Sequence, residues 1–106
     1  ARYAENYIQS RQRHKGKIAL KQELRRKGVD EKLVEGALVE LDDENQLEHA
    51  VKLLQKQLPR LQRDEERKRY GKAYAFLARK GFTSDIIRQA LEKVRLEEDE
   101  DVAEET

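Results

Sequence analysis

An all-α fold is expected: tandem three-helix repeats stacked into an elongated right-handed or curved array, with no strands. Three observations carry it. First, LRRKGVDEKLVEGAL (Leu24 to Leu38) recurs as LARKGFTSDIIRQAL (Leu77 to Leu91), offset by 53 residues with six of fifteen positions identical. A fixed period with matched turn chemistry marks copies of one supersecondary unit. Second, apolar residues recur three and four apart along the chain, and no segment alternates with period two. Third, 42% of the 106 residues are charged and only 6% aromatic. Such a chain has material for thin cores between helices. Repeat chains of this kind tend to work through extended surfaces.

The elements follow in order. Tyr3, Ala4, Tyr7 and Ile8 form the stripe of helix one, which His14, Lys15 and Gly16 interrupt. Ile18, Leu20 and Leu24 place helix two at about Lys17 to Lys27. Gly28 stands where a helix-terminating residue needs positive φ, which only glycine adopts without a Cβ penalty. Asp30 is placed to cap helix three, and Val29 and Val34 form a staple across its start. Leu33, Val34, Ala37, Leu38 and Leu41 give helix three its apolar face. Asp42 or Asp43 can cap helix four, carried by Leu47, Ala50, Val51, Leu54 and Leu58 and ended by Pro59. Asp64 can cap helix five, where Tyr70, Ala73, Tyr74 and Leu77 share a face. Gly81, Thr83, Phe82 and Ile87 then repeat the stop, cap and staple. Helix six carries Ile86, Ile87, Ala90, Leu91 and Val94. Two three-helix units result, at about residues 1–41 and 42–95. Residues 96–106 form an acidic tail with little to bury, expected to be disordered and dispensable for folding.

The formal net charge of +1 hides segregation. Residues 11–29 hold eight Lys or Arg and one acidic residue, a net of +7. Residues 30–51 hold eight acidic residues and one Lys, a net of −7. Residues 52–80 return to +7, with ten Lys or Arg and three acidic residues. The basic blocks coincide with the first two helices of each unit. On helix two, Lys17, Lys21 and Arg25 fall on one side at i, i+4, i+8. On helix five, Arg69, Lys72 and Arg79 make a comparable ridge, preceded by Arg63 and Arg67. Arg11, Lys15 and Arg26 extend the first stripe. These side chains are expected to point away from the apolar faces. Stacked units would join the two ridges into one surface suited to phosphate backbone or an acidic protein groove. The competing reading is that they are solvated helix faces.

Other function classes find little support. There is no cysteine, which excludes a disulfide scaffold or a cysteine-based zinc site. No apolar run approaches the roughly 20 residues of a membrane helix, and no signal-peptide pattern opens the chain, so a cytoplasmic monomer is expected. The helical pattern begins at the first residue without an initiator Met, as in a piece of a longer protein. His14 and His49 lack partners at metal-ligand spacing, and neither is expected to ligate or catalyse. Glu44 with Glu48, and the run Glu97 to Asp101, fit capping and solvation. No phosphate-binding glycine motif or nucleophile–base pattern occurs. No enzyme and no cofactor is expected. Gly71 interrupts helix five, where close helix packing, ahead of close approach of a partner, is the expected reason. Tyr7, Tyr70 and Tyr74 are expected in the core; Tyr3 and Phe76 are open between core and surface.

The stretch Arg2-Tyr3-Ala4, Ser10-Arg11, Lys15-Gly16, Ile18, Glu23-Leu24, Lys27-Gly28-Val29 and Ala37-Leu38 resembles the second repeat of the RecX regulatory proteins. Phe76-Leu77-Ala78-Arg79-Lys80-Gly81-Phe82, with Ile86-Ile87 and Leu91, resembles their third. The resemblance covers about residues 1–95. It implies tandem three-helix repeats and a bacterial cytoplasmic modulator of the RecA recombinase. Such a protein binds in the groove of the RecA–single-stranded-DNA filament and inhibits ATP hydrolysis and strand exchange; some members bind DNA directly. The family's first repeat has no counterpart here, and the acidic tail falls outside the family pattern. A stand-alone helical DNA-binding module and a structural spacer are the competing classes. Affinity for RecA filaments against bare DNA at matched salt separates the filament regulator from the DNA-binding module, and binding to neither favours the spacer.

Overall fold

Six helices follow one another in a computed structural model that describes residues 3–94: α1 (Arg2–Arg11), α2 (Lys17–Arg26), α3 (Glu31–Leu38), α4 (Asp43–Leu61), α5 (Glu66–Arg79) and α6 (Ser84–Glu105). No strand occurs among the described residues. The acidic tail expected at 96–106 lies outside them. The array is elongated, with principal extents of 56 × 22 × 19 Å.

The apolar stripes gather into two cores. Ala4, Tyr7 and Ile8 of α1 meet Leu20 and Leu24 of α2 and Val34, Ala37 and Leu38 of α3, with Leu41 closing the cluster. Ala50, Leu54 and Leu61 of α4 meet Ala73 and Leu77 of α5, with Phe82 and the α6 residues Ile86, Ile87, Ala90, Leu91 and Val94. Equivalent positions are not equally covered. Leu33 is 43% exposed, whereas its counterpart Ile86 is 3% exposed. Ile86 lies on α6, which packs along the 19-residue α4. Ile18, expected in the buried stripe of α2, is 44% exposed. At 100° per residue it sits about 160° around the helix from Leu20. Tyr70, expected in the core, is also 44% exposed, while Tyr7 is buried and Tyr74 half-buried.

Both glycine stops behave as their sequence context predicts. Gly28 has φ +80° and Gly81 φ +95°. The Gly28 N–H donates to Arg25 O and the Val29 N–H to Leu24 O; Gly81 donates to Ala78 O and Phe82 to Leu77 O. This paired pattern satisfies the last carbonyls of α2 and α5 and returns Val29 and Phe82 onto their own cores.

Three cap and stop expectations need correction. Asp30 occupies the N-cap of α3 but makes no side-chain cap bond, unlike Thr83, whose Oγ1 accepts from Ile86 N–H at 3.4 Å, and Asp42, which accepts from Asn45 N–H at 2.8 Å. Asp64 does not cap α5, which has Glu65 at its N-cap. Its carboxylate accepts from Lys72 Nζ at 2.7 Å and its carbonyl from Arg69 Nε at 3.1 Å, so basic side chains of α5 take both acceptors. Pro59 does not end α4, which runs on to Leu61. Within the last turn, its missing N–H removes one bond and leaves the later turn closed by Gln62 N–H on Leu58 O at 2.9 Å.

Gly71 is not explained by close packing, because a Cβ added there would meet nothing within 4 Å. Within the fold itself, backbone entropy is then the term that remains. Gly71→Ala is expected to stabilise the fold by about 1 kcal/mol, read as a raised urea midpoint with an unchanged m-value; a lowered midpoint would contradict this.

Candidate functional site

What positions the basic helices is the joint between the two units. α2 begins at Gly16, which has no side chain to cap it, and no acidic residue stands in its first turn. Its orphan N–H groups are satisfied by the second unit instead. Gly16 N–H donates to Lys80 O at 2.7 Å and Ile18 N–H to Gly81 O at 2.9 Å. Lys17 N–H donates to Oε1 of Gln46, a buried α4 side chain, at 2.9 Å. The positive end of the α2 dipole thus meets the negative end of α5. A Cβ on Gly81 would collide with Ala19, reaching its backbone N at 2.6 Å, and one on Gly16 would strike the Gly81 carbonyl at 2.5 Å. The joint brings the start of α2, with Lys15 and Lys17, against the end of α5, with Arg79 and Lys80.

Within the first unit a polar cluster ties α1 to α2. Tyr7 Oη donates to Glu23 Oε1 at 2.5 Å, and Lys15 Nζ donates to Glu23 Oε2 at 2.7 Å. The Arg11 guanidinium lies over the Tyr7 ring, 3.9 Å from its centroid. Burial pushes the Glu23 carboxyl up, but the bonds from Lys15 and Tyr7 and the Lys15 and Arg11 charges outweigh it and hold it below the usual glutamate range. The bond to Glu23, then burial, raises the Tyr7 hydroxyl. Because the folded pKa of Glu23 is depressed, its contribution to stability is complete above the ordinary value of about 4.3. That contribution is lost as pH falls through the lower folded value. Glu23→Gln should therefore flatten part of the parent's loss of stability below pH about 4.3. Parallel acid-unfolding curves would contradict this.

The eleven basic residues expected to form the surface fall into three groups. Six are engaged locally: Arg11 over Tyr7, Lys15 on Glu23, Arg25 on Glu31 through Nε at 2.9 Å and also through Nη2, Arg67 on Glu65 at 3.4 Å, Arg69 on the Asp64 and Gln62 carbonyls, and Lys72 on Asp64. Lys17 and Lys21 are half-buried, as is Arg69, so they do not point away from the apolar faces as expected. Lys17 and Lys21 lie about 20° and 60° around α2 from Leu24, on one edge of its buried stripe, where long aliphatic stems can lie along apolar surface. Arg26, Arg63 and Arg79 are exposed. No ion pair engages them among the described residues.

Arg26 and Arg79 are equivalent residues of the repeat, and each lines a cleft between the first and second helices of its unit. Arg26 shares its cleft with Tyr7, Lys15, Glu23 and Lys27. Arg79 shares one of about 510 Å³ with Arg60, Lys72, Asp64 and Phe76. Lys27 and Arg60 were not legible as members, because each joins its cleft only through helix pairing. Among the described residues, no group of His, Cys, Asp or Glu could hold a metal ion, and no helix is long and apolar enough to cross a membrane. The arrangement can bind anions through repeated, solvent-facing guanidinium groups.

Comparison with known proteins agrees with this architecture. The model of the second three-helix domain of RecX matches residues 1–38, and that of the third three-helix domain of RecX matches residues 43–91. The regulatory protein RecX of Chlorobium phaeobacteroides is 37% identical over 94 residues, spanning 87% of this chain and 60% of the relative. That of Bacillus subtilis is 32% identical over 105 residues, 97% of this chain and 40% of the relative. The crystal structure of RecX from Lactobacillus salivarius superposes with a TM-score of 0.82 at 33% identity, covering 89% of this chain and 62% of that one. The chain thus spans about two fifths to three fifths of the length of these relatives.

Proposed function

The chain belongs to the RecX family of regulatory proteins, and on that premise we propose that it binds the RecA–single-stranded-DNA filament and lowers RecA ATP hydrolysis and strand exchange. The observation that carries the reading is the joint between the units: it holds two basic helices end to start, with exposed Arg26 and Arg79 at equivalent places. A filament offers a repeating anionic surface, and a repeat protein offers a repeating cationic one. Binding rests on the units 1–41 and 42–95 acting together as a cytoplasmic monomer, with Arg11, Lys15, Lys17, Lys21, Arg25, Arg63, Arg67, Arg69 and Lys72 shaping the field around the two arginines. The chemistry is regulation by occupancy, with no cofactor.

The experiment is a titration of the chain into RecA hydrolysing ATP on single-stranded DNA. Hydrolysis should fall with dose and recover as salt is raised, since the contacts are electrostatic. Unchanged hydrolysis at concentrations above that of RecA would contradict the reading. A second reading, a helical module that binds DNA without RecA, is favoured by the clefts around Arg26 and Arg79, whose chemistry fits bare phosphate equally well. In that case bare single-stranded DNA should displace the chain from filaments at matched salt.

A further inference from the structure

The two cores share no residue: the first takes its members from residues up to Leu41, the second from Ala50 onward. The helices pack along one another within a unit, α1, α2 and α3 in the first and α4, α5 and α6 in the second. No pairing of comparable extent crosses between the units among the described residues. What joins the units is polar. Gly16, Lys17 and Ile18 N–H donate across to Lys80 O, Gln46 Oε1 and Gly81 O. Gln46 is buried, yet its Nε2 has no hydrogen-bond partner among the described residues. A buried donor left unpaired opposes closure, because water satisfies it once the joint opens. Between the units lies an open cleft of about 870 Å³, lined by Arg13 and His14 of the α1–α2 turn and by His49, Lys52 and Lys56 of α4. Glu48, the carboxylate on that wall, pairs with Lys52 at 3.1 Å. Arg13 thus faces cations of α4, and like charge across the cleft favours opening.

We propose that the joint is a hinge, on which the two units swing as rigid bodies between this closed form and an open form. The pivot lies at Leu41 and Asp42. Leu41 is buried in the first core, and Asp42 caps α4 through Asn45 N–H. The torsions between those two residues therefore turn without disturbing either unit. Val39, just ahead of them, is 80% exposed, so its side chain does not brace the connection. With so short a tether, Gly16 stays near the Gly81 turn and the joint recloses readily. The closed form is the major one, because three bonds and the α2 dipole set against the end of α5 outweigh one unpaired amide. Opening changes the spacing of Arg26 and Arg79, one in each unit. A partner that spans both units holds the hinge shut, and one that grips a single unit leaves it free. The hinge is a property of the chain alone and stands whether or not the chain binds RecA.

Gly16→Ala tests it. Gly16 has φ −82°, which alanine adopts freely, so the substitution strains no backbone of its own unit. Across the joint its Cβ would strike the backbone of Phe82 and Gly81, reaching the Gly81 carbonyl oxygen at 2.5 Å. The chain has no cysteine, so Glu35→Cys and Gln89→Cys, at exposed positions of α3 and α6, place one spin label in each unit. In the parent background the measured distance distribution should have one dominant peak. Gly16→Ala should broaden it and shift its mean, with circular dichroism unchanged. Amide exchange of the parent is the second readout. The Gly16, Lys17 and Ile18 N–H groups are bonded only to the other unit, so they should exchange at least about tenfold faster than that of buried Leu24. In Gly16→Ala they should exchange faster still, with Leu24 unchanged. Exchange of the three as slow as that of Leu24, or a folded Gly16→Ala chain with the parent's distance distribution, would overturn the hinge. Loss of helicity in Gly16→Ala would overturn it too, since joint and units would then be one cooperative body.

Discussion

Gly81→Ala should unfold the chain far more readily than Gly28→Ala, although both replace the same residue of the repeat. Both glycines have positive φ, so each substitution places an L-residue in left-handed backbone, at about 1–2 kcal/mol. For Gly28 that is the whole effect, because an added Cβ meets nothing within 4 Å. For Gly81 the Cβ also drives into Ala19, at 2.6 Å from its N and 3.0 Å from its Cα. Backbone cannot move aside as a flexible side chain would, and overpacking of this kind adds about 1–3 kcal/mol. Relieving the clash means parting α2 from the turn, which breaks the bonds from Gly16 and Ile18 to Lys80 O and Gly81 O. The total is about 3 kcal/mol or more. A domain of this size loses about 4–8 °C of melting temperature per kcal/mol, so the two variants should melt at least about 4 °C apart. Equal melting temperatures would show that the joint adds nothing beyond the turn.

Reversing Arg26, Arg63 and Arg79 to Glu should weaken association with RecA filaments by about tenfold to a hundredfold while leaving the fold intact. These three are exposed, and no ion pair engages them among the described residues, so the helical dichroism should match that of the parent. If they face DNA phosphates, the salt slope should fall by about 2, at about 0.7 per contact on single strands. If they face an acidic groove of RecA, affinity should still fall with salt, but bare DNA should compete poorly. Reversing Arg25 and Lys72 should have a smaller effect, because Glu31 and Asp64 already neutralise them. Folded, triple-reversed protein with the parent's affinity would leave these arginines as solvated surface.

Much of the fold was legible because it is written locally. Gly28 and Gly81 announce positive φ, Val29 and Phe82 announce the return onto the core, and the stripes of α3 and α6 name their buried faces. What was not legible depends on partners distant in sequence. Nothing near Gly16 shows that α2 is capped by Gln46, 30 positions on, and by the carbonyls of the Gly81 turn. Asp64 reads as a cap until Lys72 and Arg69 are seen to occupy its oxygens. Ile18 and Leu33 satisfy a period count, yet Ile18 falls about 160° around the helix from Leu20, and both side chains stay more than two fifths exposed. The candidate site was half legible. Charge segregation names the basic helices; only the fold separates the engaged Lys15, Arg25 and Lys72 from the exposed Arg26, Arg63 and Arg79. His14 of the α1–α2 turn and His49 of α4 are unremarkable in sequence because the cleft they both line is formed by the two units together.

The most direct measurement is equilibrium binding of this 106-residue chain to preformed RecA–single-stranded-DNA filaments, with bare single-stranded DNA as competitor at matched salt. The two repeats presented here should bind filaments saturably, weaken as salt rises, and resist displacement by an equal concentration of bare DNA. Absence of binding at low salt, or complete displacement by bare DNA, would contradict a surface built for the filament.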